Sequence, residues 1–170
     1  MRQREYFLML AGYHVWAQRC LLDSLEPIGD ADYHADHGLF FRSIHRTLNH
    51  LLLVDLLWQG RLTGKPFLVS SLDQELVKER MRLKDEMLGA ATKLQGLVSG
   101  LDESRIQSVN AYVDTEGRRR EFPLALQLAH AFNHATHHRG QVTAVITRLG
   151  VESPVLDMPV FFATQPPSSS

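Results

Sequence analysis

Apolar side chains recur every three to four residues over four long stretches of this chain, the spacing of helices that bury one face. The first, about Arg2–Leu25, lines up Tyr6, Met9, Leu10, Tyr13, Ala17, Cys20, Leu21 and Ser24 and is ended by Pro27 and Gly29. The second spans about Leu39–Leu62, with Gly60 and Gly64 near its end. The third spans about Leu72–Val98, its stripe carried by Leu72, Leu76, Leu83, Met87, Ala90, Leu94 and Leu97, with Ser71 and Gln74 spaced as a capping box. The fourth runs from about Pro123 to Leu149, where Pro123 suits a first turn and Gly150 the position past the end. Between the third and fourth the period changes. Val109, Ala111 and Val113 alternate with polar neighbours and Asp114-Thr115-Glu116-Gly117 reads as a turn, so Ile106–Phe122 is expected to form a short hairpin or extended excursion.

Four amphipathic helices of this length predict an all-α four-helix bundle, an architecture that places metal sites between facing helices. A chain of 170 residues fits one domain, here 1–163, followed by a flexible tail over 164–170 that ends in Pro-Pro-Ser-Ser-Ser.

Composition narrows the function classes. The chain is 44% hydrophobic and 22% charged, with a formal net charge of −1, which argues against nucleic acid or an anionic membrane as an obligate partner. Arg118-Arg119-Arg120 on the excursion reads as a solvated charge run. The single cysteine, Cys20, excludes an internal disulfide and sits in an apolar helical pattern, where a buried thiol is the expected role. Met1–Tyr6 leads into a polar-interrupted helix rather than the apolar core of a secretion signal. The longest apolar run, Leu51–Leu57, is broken by Asp55 and falls well short of the ~20 residues of a membrane span. A soluble, cytoplasmic protein is expected.

The chemistry concentrates in one stretch. Four of nine histidines, His130, His134, His137 and His138, fall within nine residues of the fourth helix. His134 and His138 are four apart and share a face, which lets two neutral imidazoles grip one late transition metal. A third ligand should come from another helix. His34 and His37 lie in a polar loop and read as solvated; His14, on the first helix, reads as surface or interface. His45 and His50, both on the second helix, are about 140° apart and cannot face one metal together. Both share apolar lines, and periodicity does not choose between them.

The segment Asn133-His134-Ala135-Thr136-His137-His138-Arg139-Gly140-Gln141 closely resembles the second metal motif of the DinB/YfiT-like family of metalloenzymes. Ser43–His50, followed by Asp55 and Trp58, resembles that family's first histidine motif; Tyr13–Leu22 is similar to its N-terminal aromatic signature, and Pro154–Asp157 to its C-terminal end. The resemblance runs in order along nearly the whole chain. It implies an up-down-down-up four-helix bundle whose metal is held by His50, His134 and His138. His130 and His137 then take supporting or pocket positions, and Asp55 and Arg139 are candidates to support the site from behind or line it. The ion would be zinc, nickel, iron or manganese.

Three histidines leave a coordination position open, as catalytic sites do. By resemblance, the expected activity is transfer of a low-molecular-weight thiol cosubstrate to an electrophilic small molecule, with Arg139 or Arg46 as candidates to hold an anionic part of it. The alternatives are a metal-dependent hydrolase and a non-enzymatic metal-binding stress protein. The hydrolase is disfavoured because Ala135, Thr136 and His137 fill the interval where a catalytic glutamate would stand. No catalytic residue beyond the ligands is assigned. A homodimer is expected from the resemblance and from the aromatic surplus of the first helix, Tyr6, Phe7, Tyr13 and Trp16.

Overall fold

The computed structural model describes residues 1–165; residues 166–170, which hold most of the tail expected to be flexible, lie outside the described residues. Four long helices carry the fold: α1 (Gln3–Ser24), α3 (Ile44–Thr63), α4 (Arg80–Ser99) and α6 (Leu124–Arg148). The short helices α2 (Asp30–His34), α5 (Glu103–Gln107) and α7 (Met158–Thr164) complete the helical part. A two-stranded antiparallel hairpin, β1 (Val109–Val113) and β2 (Arg119–Pro123), stands between α5 and α6, where the alternating pattern placed an excursion. No helix among the described residues is long and apolar enough to cross a membrane.

α1 and α3 each pack against both α4 and α6. At one end Leu21 and Leu22 meet Leu48, Leu51 and Leu52, with Met87, Val142 and Val145 closing the layer. At the other end Phe7 and Leu10 meet Leu53, Leu57 and Trp58, with Leu94, Leu128 and Phe132. Each such side chain contributes about 1.5–3 kcal/mol by leaving water. α3 is buried around most of its circumference. That is why Asp55, read from its spacing as a helix acid in an apolar run, lies inside the protein at 4% exposure.

Two helix boundaries differ from the periodic pattern. α3 begins at Ile44, not Leu39. Ser43 caps it, its Oγ accepting from Arg46 N at 3.1 Å, and the preceding residues fold into a tight loop in which Arg42 has a left-handed φ of 72°. α4 begins at Arg80, where Glu79 accepts from Met81 N and Arg82 N, eight residues later than the stripe suggested. Gln74 does bond Ser70, yet no helix follows it. The reason is tertiary. Buried Asn49 of α3 accepts from Leu76 N and Val77 N through Oδ1 and donates to Val77 O through Nδ2, at 2.8–3.0 Å, which holds residues 76–77 extended across the helix. At the base of the same strap a Cβ on Gly60 would stand 2.8 Å from Lys65 O, so this helical position has to be glycine.

The aromatic surplus of α1 is partly consumed within the chain. Phe161 of α7 packs on Tyr13 and Trp16 at centroid distances of 5.8 and 5.6 Å, and Tyr13 donates to Leu156 O at 2.7 Å. The arginine run of the hairpin is solvated and paired: Arg118 and Arg120 bind Asp114, and Arg119 binds Glu121. Cys20 is half-buried, and burial with the neighbouring Asp23 carboxylate pushes its thiol pKa up, away from nucleophilic use.

Asn49→Leu is expected to cost about 2–4 kcal/mol, since it strands three strap groups that have no other partner there, and to expose residues 70–78 to limited proteolysis. Urea unfolding of Asn49→Leu within 0.5 kcal/mol of wild type would show that the strap is held by something else.

Candidate metal centre

His50 projects from the second turn of α3, and His134 and His138 lie one turn apart on α6, so the two helices bring three imidazoles to one place. His134 Nε2 lies 3.2 Å from both His50 Nε2 and His138 Nε2, and the three nitrogens all fall within 4.8 Å of one another. Three nitrogens bound tetrahedrally at about 2.05 Å stand about 3.3 Å apart, so the spacing already suits one ion. His45, the alternative left open by periodicity, faces away. Its Nε2 meets Glu75 Oε1 at 2.7 Å and its ring lies tilted against that of His34 at a centroid distance of 4.5 Å.

Hydrogen bonding fixes which nitrogens are free. His50 Nδ1 donates to Leu72 O at 2.8 Å, and His138 Nδ1 donates to Gln141 Oε1 at 2.8 Å. Each Nε2 is therefore unprotonated, its lone pair turned toward His134. A proton on His134 Nε2 would satisfy one of these lone pairs and leave the other facing nitrogen. A proton on His134 Nδ1 would leave three lone pairs converging, with a buried N–H lacking any protein partner. A divalent cation accepts all three lone pairs, so the donor set fits a metal ion better than it fits itself. The carbonyl of Leu72 and the amide of Gln141 are placed where they would orient the imidazoles of His50 and His138 on an ion from behind.

The cluster forms the floor of an open cleft of about 690 Å³. Phe41 stacks on His50 at a centroid distance of 3.9 Å, and Phe40, Leu72, Arg42, Arg46, Asp73 and His137 line the walls. Burial, with the neighbouring His138 adding to it, pushes the His50 pKa down to about 4. Burial, followed by the surrounding imidazoles, pushes His134 down to about 3. His138 is lowered too, chiefly by burial. Near neutral pH all three are uncharged, the form a metal requires.

The supporting residues divide. His137 is exposed on the cleft wall beside Gln141. His130 is exposed, with its ring centroid 5.7 Å from that of His134 and 5.9 Å from that of Trp58, and it lines a separate aromatic cleft. Asp55 bonds none of the three histidines. It accepts from His14 Nε2 at 2.9 Å, while His14 Nδ1 accepts from Arg139 Nη1 at 3.0 Å. Because arginine only donates, this order fixes His14 as the neutral Nε2–H tautomer bridging a buried carboxylate and a buried guanidinium. His14, expected at a surface or interface, is 2% exposed, and Arg139 is 1% exposed in this network rather than lining the metal cleft. The burial of His14 is hidden in the sequence because α1 and α6 bury a polar seam that looks amphipathic. Leu72, Phe41 and Gln141 were not foreseen. Only Gln141, three residues from His138 on one helix face, carried a sequence signal.

A mostly helical protein with an open cluster of three neutral histidines is thus defined by fold and site. The sequence matches the DinB family over residues 1–168, and the chain belongs to that family. It is 26% identical to Protein DinB of Bacillus subtilis (strain 168) over 167 residues, covering 90% of this chain and 91% of that protein.

Asp55→Asn is expected to destabilise the fold by about 3–5 kcal/mol, because Arg139 is left buried without its countercharge. Pairing it with Arg139→Gln should recover part of that loss, and strictly additive losses in denaturant titrations would dissolve the proposed coupling. In the metal-free protein, the lowered histidine pKa values mean that the unfolded chain binds more protons below 6.5. Stability should therefore fall as pH drops from 6.5 through about 4. The slope should be shallower in His50→Asn, and equal slopes in thermal melts across that window would contradict it.

Proposed function

We propose that this protein is a divalent-metal enzyme in which His50, His134 and His138 hold the ion, and that it activates a low-molecular-weight thiol for S-transfer to an electrophilic small molecule. The observation that carries the reading is the convergence of three imidazole Nε2 atoms, that of His134 lying 3.2 Å from each of the other two, at the floor of an open cleft. Zinc, nickel, iron(II) and manganese are the candidate ions; imidazole donors favour the first three. A bound divalent ion lowers the pKa of a coordinated thiol or water and makes it a nucleophile near neutral pH.

The chain's own residues do the remaining work. Leu72 O and Gln141 keep the Nδ1 protons of His50 and His138 turned away from the centre. Phe41 covers one face of His50 and excludes water there. The cleft volume suits a small molecule rather than a polymer.

Hydrolysis is the weaker reading, since it needs a positioned general base. The cleft's carboxylate, Asp73, lies on the strap and accepts from Ser71 Oγ. An up-down-down-up four-helix bundle and a cytoplasmic location belong to the same proposal. So does a homodimer, for which Val155, Val160 and Phe162 supply exposed apolar surface on the C-terminal segment.

Protein purified without an affinity tag is expected to carry stoichiometric metal by elemental analysis, and His50→Ala and His138→Ala to lose it. Wild type without metal removes the site. Metal-loaded wild type should conjugate at least one low-molecular-weight thiol to a chromogenic aryl halide, with activity abolished by chelation. Rates no higher than those of His50→Ala across a thiol panel would remove the transferase while leaving the metal site standing.

A further inference from the structure

The wall of the cleft carries two exposed guanidinium groups, Arg46 and Arg42, with donors left over after their contacts within the fold. Arg46 lies one helical turn before His50 on α3, so their Cβ atoms are about 6 Å apart on one face. It lines the cleft and, among the described residues, takes part in no hydrogen bond or ion pair between side chains. Arg42 lines the same cleft and is the one non-glycine residue with positive φ among the described residues. Its backbone is locked there: His37 N donates to Arg42 O and Arg42 N donates to Leu39 O, both at 2.8 Å. The Arg42 Nε pairs with exposed Asp36 at 2.9 Å, leaving the two terminal nitrogens without a partner among the described residues.

Exposed arginines are ordinarily solvated. These differ in sharing a cleft with an open donor set, and in that one of them sits on backbone strain of the kind that persists where surrounding structure enforces it. Asp73 is the carboxylate among the lining residues, and Asp36, outside the lining, pairs with Arg42, so Arg46 is the wall cation without an ion pair among the described residues. Phe40, 81% exposed, and Leu72, 44% exposed, add apolar surface between the arginines and the histidines.

We infer that the molecule taken up at the histidine cleft carries a compact anion, of carboxylate type, beside its metal-binding group, and that Arg46 and Arg42 select it. The inference rests on the metal reading above and holds whether the metal-binding group is a thiolate or an oxygen donor.

The test uses the full chain loaded with cobalt(II), titrated with three hydroxamates while the visible spectrum of cobalt is followed: acetohydroxamate (neutral), succinic monohydroxamate (carboxylated) and glycine hydroxamate (cationic). Wild type should bind the carboxylated probe about tenfold more tightly than the neutral one and the cationic probe most weakly, as a charge-assisted contact predicts. Raised salt should narrow the gap. Arg46→Ala should bring the neutral and carboxylated probes to within about twofold, and Arg46→Lys should restore part of the preference. Arg42→Gly, which glycine's tolerance of positive φ should leave folded, should weaken the carboxylated probe alone. Equal affinities in wild type, or a preference unchanged in both arginine variants, overturns the inference while cobalt binding leaves the metal site intact. Failure to bind cobalt at all overturns the metal reading and this inference with it.

Discussion

A charge taken out of water has to be neutralised where it sits, and in this protein that constraint ties three helices together. Asp55 comes from α3, Arg139 from α6 and the bridging His14 from α1. None of the three can leave without stranding the others, because the desolvation of an ion in the interior costs several kcal/mol. The clustered histidines are attached to the same two helices at short range: His50 lies five residues before Asp55, and His138 is the neighbour of Arg139. The hydrogen-bonded Asp55–His14–Arg139 seam therefore works as a register pin. Sliding α6 by one turn against α3 would break both the buried pair and the spacing of the Nε2 atoms. Apolar packing alone would resist such a slide less, because Leu, Val and Ala layers tolerate exchange of similar shapes.

The second layer of organisation is the strap between α3 and α4. It looks irregular, yet its backbone is used twice. Asn49 holds residues 76–77 extended, and the same strap presents Leu72 O to His50 Nδ1. Had residues 72–79 formed the first two turns of α4, the Leu72 carbonyl would have been spent inside a helix. His50 would then have no partner to fix its tautomer. Local helix propensity gives way here to a buried amide that satisfies both of its ends, a trade that favours the extended form because an unmet polar group inside costs more than a lost helical turn.

This explains which parts of the molecule were legible from residue order. The long helices were, because α1, α3, α4 and α6 each bury a continuous face. The hairpin was, because Val109–Val113 changes to a period of two before a turn. The His134/His138 pair was, because a four-residue spacing places both imidazoles on one face whatever α6 packs against. The choice of His50 over His45 was not, since both lie on apolar lines and only the neighbours decide; the family resemblance supplied it. The starts of α3 and α4 were partly readable in Ser43 and Glu79, whose side chains cap the helices. Apolar Phe40, Phe41, Leu72 and Leu76 extended the periodic pattern past those caps. Asp55 and Arg139 were the hardest to place, because a charged residue on a helix is ordinarily solvated and the partner that buries it comes from a helix far away in sequence.

The two faces of α6 show how one helix serves both demands. Arg139 is closed off, its charge bridged to Asp55 and its Nη2 donating to Thr136. One residue earlier, His138 keeps its Nε2 toward His134 at the cleft and its other nitrogen tied to Gln141. Burial, with the surrounding imidazoles adding to it, pushes His134 down to about 3, so the cluster does not relieve its crowded nitrogens by taking up a proton near neutral pH. It persists only because the surroundings are held by stronger constraints. Preorganisation of this kind would let an ion bind without first rearranging its ligands, and the three imidazoles already face an open cleft with room for a small molecule beside them.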